Sequence, residues 1–274
     1  MEKDEVKIAW FGKHQGEEPP LVGMNAGAGG IFFSQCHLRC VFCQNYQISQ
    51  ENLGEEYTTE ELAKIMLDLE KDGAVNIDLV TPTIWWKQIK EAILLAKKSG
   101  LTLPIVWNSN GYESIKILKE MEGLVDIYLP DFKYGDDEVG FKYSGIKKYS
   151  AVALQAIKEM LRQVGYFKTD QNGIGKRGVI VRHLIIPNNI DNSLRALQIL
   201  TDLDNNLHIS LMNQFNPLYK AKQFPEVNRI LSAEEFNLVY KHLLDLGFYR
   251  GWIQDPESAK FLVPDFTKKD PFNL

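Results

Sequence analysis

The sequence predicts an α/β fold in which parallel strands alternate with helices, arranged as a partial barrel or as a doubly wound sheet. Three observations support this prediction: apolar runs of strand length alternate with helical runs, capping signals precede two of the helices, and polar residues stand at the strand ends. The 274 residues contain no internal repeat or low-complexity linker. A length near about 250 residues is common for a single α/β barrel domain.

Six apolar runs have the length and composition of buried strands. The predicted strands are GGIFFSQ (29–35), NIDLVTPT (76–83), LPIVWNSN (103–110), DIYLPDFK (126–133), GVIVRHLII (178–186) and HISLMNQF (208–215), with YRGWIQ (249–254) as a candidate seventh. Between them, Thr58 with Glu61 and Ser232 with Glu235 have the spacing of capping boxes, which predicts a helix after each pair. Further helices are predicted near 87–99, 114–121, 150–165 and 191–202.

Polar side chains stand at or near the carboxyl ends of these strands, where parallel α/β folds carry their sites. They are Thr81, Thr83, Asn108, Asn110, Asp131, Lys133, Arg182 or His183, and Asn213 or Gln214. Because side chains alternate faces with period two, Asp131 and Lys133 share one face of their strand, as a clamp for a zwitterion would require. A strand end that reaches water gives the same pattern, but its repetition on several strands favours a shared pocket. The long segments 134–149 and 216–231 are expected on that face.

All three cysteines, Cys36, Cys40 and Cys43, lie in one short stretch, FSQCHLRCVFCQNYQ, directly after the first predicted strand. A structural zinc site or a cubane iron-sulfur cluster normally takes four protein ligands, so three thiols leave one metal position open to a small molecule. A disulfide would leave an odd thiol and would need an oxidising compartment. Zinc with His37 or His14 as the fourth ligand stays open as an alternative, although His37 is adjacent to Cys36 and neighbouring residues rarely turn to one ion.

The charge and hydropathy of the chain argue against two classes of partner. A net charge of -5 and a pI near 5.6 do not favour a general affinity for nucleic acid or for anionic membranes. The opening MEKDEVKIAW does not resemble a secretory signal, and no run approaches the roughly 18 apolar residues of a membrane span. We therefore expect a cytoplasmic protein, in which the thiols stay reduced.

The C-x3-C-x2-C motif, with the aromatic Phe42 before its last cysteine, resembles the signature of the radical S-adenosylmethionine (SAM) superfamily. More narrowly, the chain is similar to a branch related to pyruvate formate-lyase activating enzymes from about Trp10 to Gln254. The segments that carry this similarity are GEEPPLVG (16–23), IFFSQCHLRCVFCQNYQIS (31–49), LVTPT (79–83), LPDFKYGD (129–136), VRHLIIPN (181–188) and LMNQFNP (211–217).

The resemblance implies a partial (β/α)6 barrel over residues 29–254, with residues 1–28 as an N-terminal extension packed on it and 255–274 as a C-terminal tail. It also implies a [4Fe-4S] cluster on Cys36, Cys40 and Cys43, with SAM as the ligand of the fourth iron. An electron from a donor such as flavodoxin or ferredoxin would cleave SAM to a 5'-deoxyadenosyl radical, which takes hydrogen from a small-molecule or protein substrate. A non-catalytic electron carrier or redox sensor that uses the same cluster is the alternative.

The resemblance also assigns residues to SAM. Asp131-Phe132-Lys133 matches an Asp-x-Lys sequence that helps to hold the methionyl part of SAM. Asn108-Ser109-Asn110-Gly111 matches a polar-polar-Asn-Gly sequence in which aspartate is usual at the first place. The remaining SAM assignments are Phe42 from the motif, Arg182 near the SAM carboxylate and ribose, and Gln214 from its position alone.

Two departures from the family pattern stand out. Thr81-Pro82-Thr83 replaces the common Gly-Gly-Glu that receives the amino group of SAM, so the hydroxyls of Thr81 and Thr83 or backbone carbonyls would take that part. The extra N-terminal cysteines of many members of the branch are missing, which excludes a second cysteine-ligated cluster within these 274 residues. The sequence has no recognisable feature for binding a glycyl-radical partner, so the similarity to activating enzymes concerns fold and motif.

Overall fold

The computed structural model describes residues 4–254 and 263–272. Within these residues, ten strands form one mixed sheet. The strands are β1 (Glu5–His14), β2 (Ala28–Phe33), β3 (Glu55–Thr58), β4 (Ile77–Val80), β5 (Ile105–Ser109), β6 (Ile127–Pro130), β7 (Lys168–Thr169), β8 (Gly175–Leu184), β9 (His208–Met212) and β10 (Gly251–Ile253).

The centre of the sheet is parallel. Strands β2, β4, β5, β6, β8, β9 and β10 pair in that order, each parallel to its neighbour. These are the six predicted strands and the candidate seventh, so the predicted parallel α/β fold of the partial barrel type is confirmed. Strand β1 pairs antiparallel with β2, β3 pairs antiparallel with β1, and β7 forms a short hairpin with β8.

Helices connect the parallel strands. They are α1 (Pro19–Val22), α2 (Tyr46–Ser49), α3 (Thr59–Lys71), α4 (Trp86–Lys98), α5 (Ile115–Glu120), α6 (Asp137–Ser144), α7 (Tyr149–Val164), α8 (Ile190–Leu203) and α9 (Ala233–Asp245), with 3-10 turns at Thr83–Trp85, Ala221–Gln223 and Pro225–Val227. Both predicted capping boxes are present, at the starts of α3 and α9. In the part of the chain that the structure describes, no helix has the length and hydropathy to cross a membrane.

Among the described residues, three apolar clusters pack on the sheet, and the third joins Phe32 and Val80 to Phe266. A large core lies between the sheet and its helices, and it includes fully buried side chains such as Trp107 and Tyr128. A smaller cluster fills the inside of the barrel near the amino ends of its strands, where Leu21 of α1 packs against side chains such as Val106 and Ile180. The amino end of the barrel is therefore filled by apolar side chains, whereas the carboxyl end combines apolar side chains with polar groups.

The structure adds elements that the sequence patterns did not predict. Residues 5–14, expected as part of an N-terminal extension, form a strand of the sheet itself. Helix α6 lies inside the segment 134–149, which was expected as a long loop. Within the expected C-terminal tail, residues 255–262, 273 and 274 lie outside the described residues. The described part of the tail contacts the segment after the cysteines, because the Phe266 amide donates to Gln47 Oε1 over 2.8 Å.

Candidate active site

A cavity of about 200 Å³ opens at the carboxyl ends of the parallel strands. It brings together residues that are far apart in sequence. Of the predicted site residues, those that line it are Cys36, Cys40, Phe42, Cys43, Thr81, Asn108, Asn110, Asp131, Lys133, Arg182 and Gln214. Thr83 does not line it, and neither do His183 and Asn213, the alternatives to Arg182 and Gln214.

The loop that carries the cysteines is fixed by backbone contacts. Gln35 has a φ of 72°, a left-handed conformation that turns the chain out of β2 directly before Cys36. The Gln35 amide donates to the Ile48 carbonyl over 2.9 Å, and the Val41 amide donates to the Tyr143 carbonyl over 2.8 Å. The loop is therefore tied both to α2 and to α6, and its three thiols reach one cavity.

Each thiol lies within hydrogen-bonding distance of a polar side chain. Asn110 Nδ2 lies 3.4 Å from Cys36 Sγ, and the Ser144 hydroxyl lies 2.9 Å from Cys40 Sγ. The third contact joins Cys43 Sγ to the Ser49 hydroxyl over 3.2 Å. Such donors stabilise charge on a sulfur and tune a metal cluster bound to it. Ser49 and Ser144 were missed by sequence reasoning, because nothing in their local sequence marks them.

Burial holds the three thiols in the protonated form in the absence of a metal. It raises the pKa of Cys40 to about 12 and the pKa of Cys43 to about 11, and it also raises the pKa of Cys36. A cation bound to all three sulfurs would compensate the charge that burial disfavours, since metals bind the thiolate form. The donor set therefore fits a thiolate-ligated metal centre.

Asp131 and Lys133 lie at the end of β6 and form an ion pair with each other across the cavity wall. Their side chains are only 22% and 15% exposed. Burial alone would lower the pKa of Lys133, but the Asp131 carboxylate raises it above its usual value. The ammonium group is therefore charged and faces the same space as the cysteines.

The backbone around this pair is held by Tyr149. Its hydroxyl lies 2.8 Å from the Asn110 carbonyl and 2.9 Å from the Asp131 carbonyl, and it accepts a hydrogen bond from the Lys133 amide over 3.0 Å. Gly111 has a φ of 77°, and a Cβ at this position would lie 1.9 Å from the Asp131 carbonyl oxygen. The ends of β5 and β6 can therefore approach this closely only with glycine at position 111.

The two threonines that replace Gly-Gly-Glu have different surroundings. Thr81 has a φ of 60°, rare for a β-branched residue, and its amide donates to the Asn108 carbonyl over 2.9 Å. The turn at Thr81 leads into the 3-10 turn Thr83–Trp85, in which the Thr83 hydroxyl donates to the buried Glu113 carboxylate over 2.6 Å. Thr83 thus supports the wall from behind, and Thr81 faces the cavity.

Arg182 is already paired with carboxylates. Its guanidinium donates to Glu17 and, over 2.6 and 2.7 Å, to the two oxygens of Glu18. Its Nη1 also lies 3.4 Å from Asn108 Oδ1. Burial raises the pKa of Glu17 to about 7, and the guanidinium opposes that rise. Glu17 and Glu18 belong to GEEPPLVG, but no pattern in the sequence linked them to Arg182.

The remaining predicted residues form the rim of the cavity. Phe42 packs against Phe215 and Tyr143, with ring centroids 5.1 and 6.4 Å apart. Gln214 Oε1 accepts a hydrogen bond of 2.5 Å from Gln254. His37, which the zinc alternative would use, has its Nε2 within 3.0 Å of the Tyr112 carbonyl, so this nitrogen is already engaged.

A sequence model of the radical SAM superfamily matches residues 31–192, which is 162 of the 274 residues (192 − 31 + 1). The chain belongs to the radical SAM superfamily. Its members carry out SAM-dependent radical chemistry, and the family implies a [4Fe-4S] cluster and SAM. The resemblance stated from the sequence is thereby confirmed.

The chain is also similar in sequence to individual proteins. The chain is 34% identical over 248 residues to the uncharacterized protein MJ0674 of Methanocaldococcus jannaschii, covering 85% of this chain and 67% of that protein. It is 26% identical over 220 residues to the pyruvate formate-lyase-activating enzyme of Clostridium pasteurianum, covering 77% of this chain and 80% of that enzyme.

Among solved structures, SuiB of Streptococcus suis bound to S-adenosylmethionine matches with a TM-score of 0.57 at 9% identity, covering 81% of this chain and 48% of SuiB. At this identity the match shows a shared fold. The chain thus spans about two thirds of the length of MJ0674 and about half of the SuiB chain.

Proposed function

We propose that this chain is an enzyme that uses a [4Fe-4S] cluster to cleave SAM reductively and to remove a hydrogen atom from a substrate. One observation carries the proposal: all three cysteines of the chain face the cavity that Asp131 and Lys133 also line. When bound, the cluster and SAM supply a 5'-deoxyadenosyl radical, which is the species that takes the hydrogen atom. Every other contribution comes from side chains that bind, orient and shield.

In this proposal Cys36, Cys40 and Cys43 would hold the cluster through their thiolates, and the cavity beside Asp131 and Lys133 would hold SAM. Lys133 exchanges part of its contact with Asp131 for the SAM carboxylate, because an ammonium binds a carboxylate strongly in a buried setting. Asn108 and the backbone at Thr81 offer oxygen atoms to the amino group. Thr83, whose hydroxyl is committed to Glu113, takes no direct part.

The other assigned residues shape the cavity in this proposal. Phe42 and Gln214 close its rim, and Asn110 donates to the sulfur of Cys36. Because Glu17 and Glu18 already bind Arg182, its guanidinium positions Asn108 and the cavity floor, and it contributes to SAM binding through that contact. Apolar side chains such as Phe32, Leu184 and Met212 keep water from the reacting atoms.

The proposal includes a domain plan and partners. We assign residues 29–254 to the barrel, with an N-terminal segment whose strand β1 extends the sheet of the barrel, and residues 255–274 to a C-terminal segment. We place the protein in the cytoplasm with an electron donor such as flavodoxin or ferredoxin. The substrate is a small molecule or a protein; SuiB has been crystallised with the precursor peptide SuiA, which shows that a protein of this fold can hold a peptide.

The test is anaerobic reconstitution of the cluster followed by addition of dithionite and SAM. We expect 5'-deoxyadenosine and methionine as products, and we expect Cys40→Ala to lose iron loading. A cluster that is reduced without forming 5'-deoxyadenosine would identify an electron carrier or redox sensor instead. A colourless protein that binds one zinc ion would contradict both interpretations.

A further inference from the structure

A second group of metal-ligating side chains lies apart from the cysteines, inside the barrel. It consists of His14 at the end of β1, Glu17 just before α1 and Asp78 within β4, and we call it the triad. His14 Nε2 lies 3.9 Å from Glu17 Oε1 and 3.8 Å from Asp78 Oδ2. One ligand atom from each of the three residues lies within 4.8 Å of the other two.

Two atoms of the triad have no hydrogen-bond partner. They are His14 Nε2 and Asp78 Oδ1, on residues that are only 5% and 1% exposed. Separations of 3.8 and 3.9 Å are too long for hydrogen bonds between His14 and the carboxylates. Because buried polar atoms are nearly always satisfied in folded proteins, the gap between the three groups points to a bound species that contacts all of them.

The surrounding structure holds the triad in this arrangement. The His14 ring stacks on Phe272 with centroids 5.2 Å apart, and its Nδ1 accepts a hydrogen bond of 3.3 Å from the Gly16 amide. The ring is also close to Gly30, where a Cβ would lie 2.7 Å from the Cδ2 and Nε2 atoms of His14. Asn108 Nδ2 donates to Asp78 Oδ2 over 3.3 Å. The imidazole is thus clamped with Nε2 directed at the carboxylates.

The charges around the triad are unbalanced. Glu17, Glu18 and Asp78 carry three negative charges in their ionised forms, and the guanidinium of Arg182 supplies one positive charge among them. With His14 neutral, two negative charges remain. Protons can supply part of the counter-charge, because burial raises the pKa of Glu17 to about 7 and the carboxylates of Asp78 and Glu17 outweigh burial and raise the pKa of His14. One divalent cation would replace those protons and balance the full charge.

We propose that His14, Glu17 and Asp78 bind one divalent transition-metal ion. An imidazole with two carboxylates suits Mn²⁺, Fe²⁺ or Zn²⁺ better than Mg²⁺ or Ca²⁺, which prefer oxygen ligands alone. Because His14 and Glu17 also line the cavity, the coordination positions that the protein leaves open face the space beside the cysteines and can take an oxygen atom of a substrate. A metal on Nε2 places the ring hydrogen on Nδ1, so the contact from the Gly16 amide opens on binding.

The test is a Mn²⁺ titration of the reconstituted protein with its cluster in the oxidised, diamagnetic state. Bound Mn²⁺ is counted from the loss of the six-line electron paramagnetic resonance signal of the free ion. We expect one Mn²⁺ per chain in the wild-type protein and at least about tenfold weaker binding in Asp78→Asn and His14→Gln. Glu18→Gln is the matched control: both oxygens of Glu18 contact Arg182, so its loss removes nearby charge without removing a ligand.

The iron content and melting temperature of each variant show whether it has folded. If His14→Gln does not fold, the nearly isosteric Asp78→Asn still tests the proposal. No binding of Mn²⁺ by the wild-type protein would overturn the proposal, and so would equal affinity in folded Asp78→Asn. An effect of Glu18→Gln as large as that of Asp78→Asn would overturn ligation by Asp78. Formation of 5'-deoxyadenosine does not enter this readout, so the proposed function and the triad can fail independently.

Discussion

Gly111 lets the ends of β5 and β6 approach each other at the site, and Gly111→Ala should separate them. The new Cβ would lie 1.9 Å from the Asp131 carbonyl oxygen and 3.3 Å from the Tyr149 hydroxyl oxygen. The φ of 77° adds a left-handed conformation that costs alanine about 1–2 kcal/mol, and relieving the overlap costs about 1–3 kcal/mol more. We expect the free energy of unfolding to fall by about 2–5 kcal/mol, which lowers the melting temperature by about 5–15 °C.

Gly123→Ala is the matched control, because Gly123 has a φ of 82° and a Cβ added there would meet no atom within 4 Å. It should cost only the conformational part, about 1–2 kcal/mol. Urea denaturation followed by circular dichroism measures both variants, and SAM titration should show weaker binding in Gly111→Ala alone, because the displaced carbonyl belongs to Asp131. Equal destabilisation by the two substitutions would refute the steric argument.

Three further predictions concern single side chains. Lys133→Ala should weaken SAM binding about 10–100-fold, as expected for loss of a charge-assisted hydrogen bond, and should leave the iron content unchanged. Calorimetric titration measures the affinity for SAM, with Lys158→Ala on the exposed surface as the control. Loss of iron in Lys133→Ala would indicate misfolding instead. Ser144→Ala removes the hydroxyl that lies 2.9 Å from Cys40 Sγ. Because this hydrogen bond stabilises the reduced cluster more than the oxidised one, its loss should lower the midpoint potential by roughly 40 mV per kcal/mol of lost stabilisation. An unchanged midpoint potential in a redox titration would contradict this prediction. Hydrogen bonds from Arg229 lower the pKa of Glu235 to about 2, so the stabilising contribution of Glu235 is complete above about pH 4.3 and is lost as the pH falls towards 2. The Glu235→Gln variant should therefore be less stable than the wild-type protein by about 0.5–1 kcal/mol at neutral pH, and its stability should fall less steeply in acid. Urea denaturation at several pH values measures both effects.

Periodicity and strand-end polarity were enough to predict the parallel strands and most of the cavity lining. Each apolar run from 29–35 to 208–215 became a strand, and the period-two rule placed Asp131 and Lys133 together at the end of β6. The cysteine motif predicted a metal-binding loop after the first strand, because three thiols this close in sequence have few other uses. These signals are local, so the sequence displays them directly.

The contacts that the sequence did not predict depend on distant segments. Strand β1 is recognisable as part of the sheet only through its pairing with β2. The donor to Cys40 comes from Ser144, 104 residues further along the chain, through a helix that lies in a segment expected to be a loop. The Thr83 hydroxyl faces Glu113 because the backbone turns at Thr81, and a single threonine gives no sign of a left-handed φ.

The ion pair between Arg182 and Glu18 joins residues 164 positions apart, and this distance has a consequence for how the protein is made. At about 5–20 residues per second, a ribosome needs about 8–33 s after adding Glu18 before it adds Arg182. During that interval the two glutamates have no guanidinium partner, although β1 can already pair with β2 and β3. The ion pairs of Arg182 are therefore completed late, and removal of residues 1–18 would leave Asp131 as the remaining carboxylate near its guanidinium.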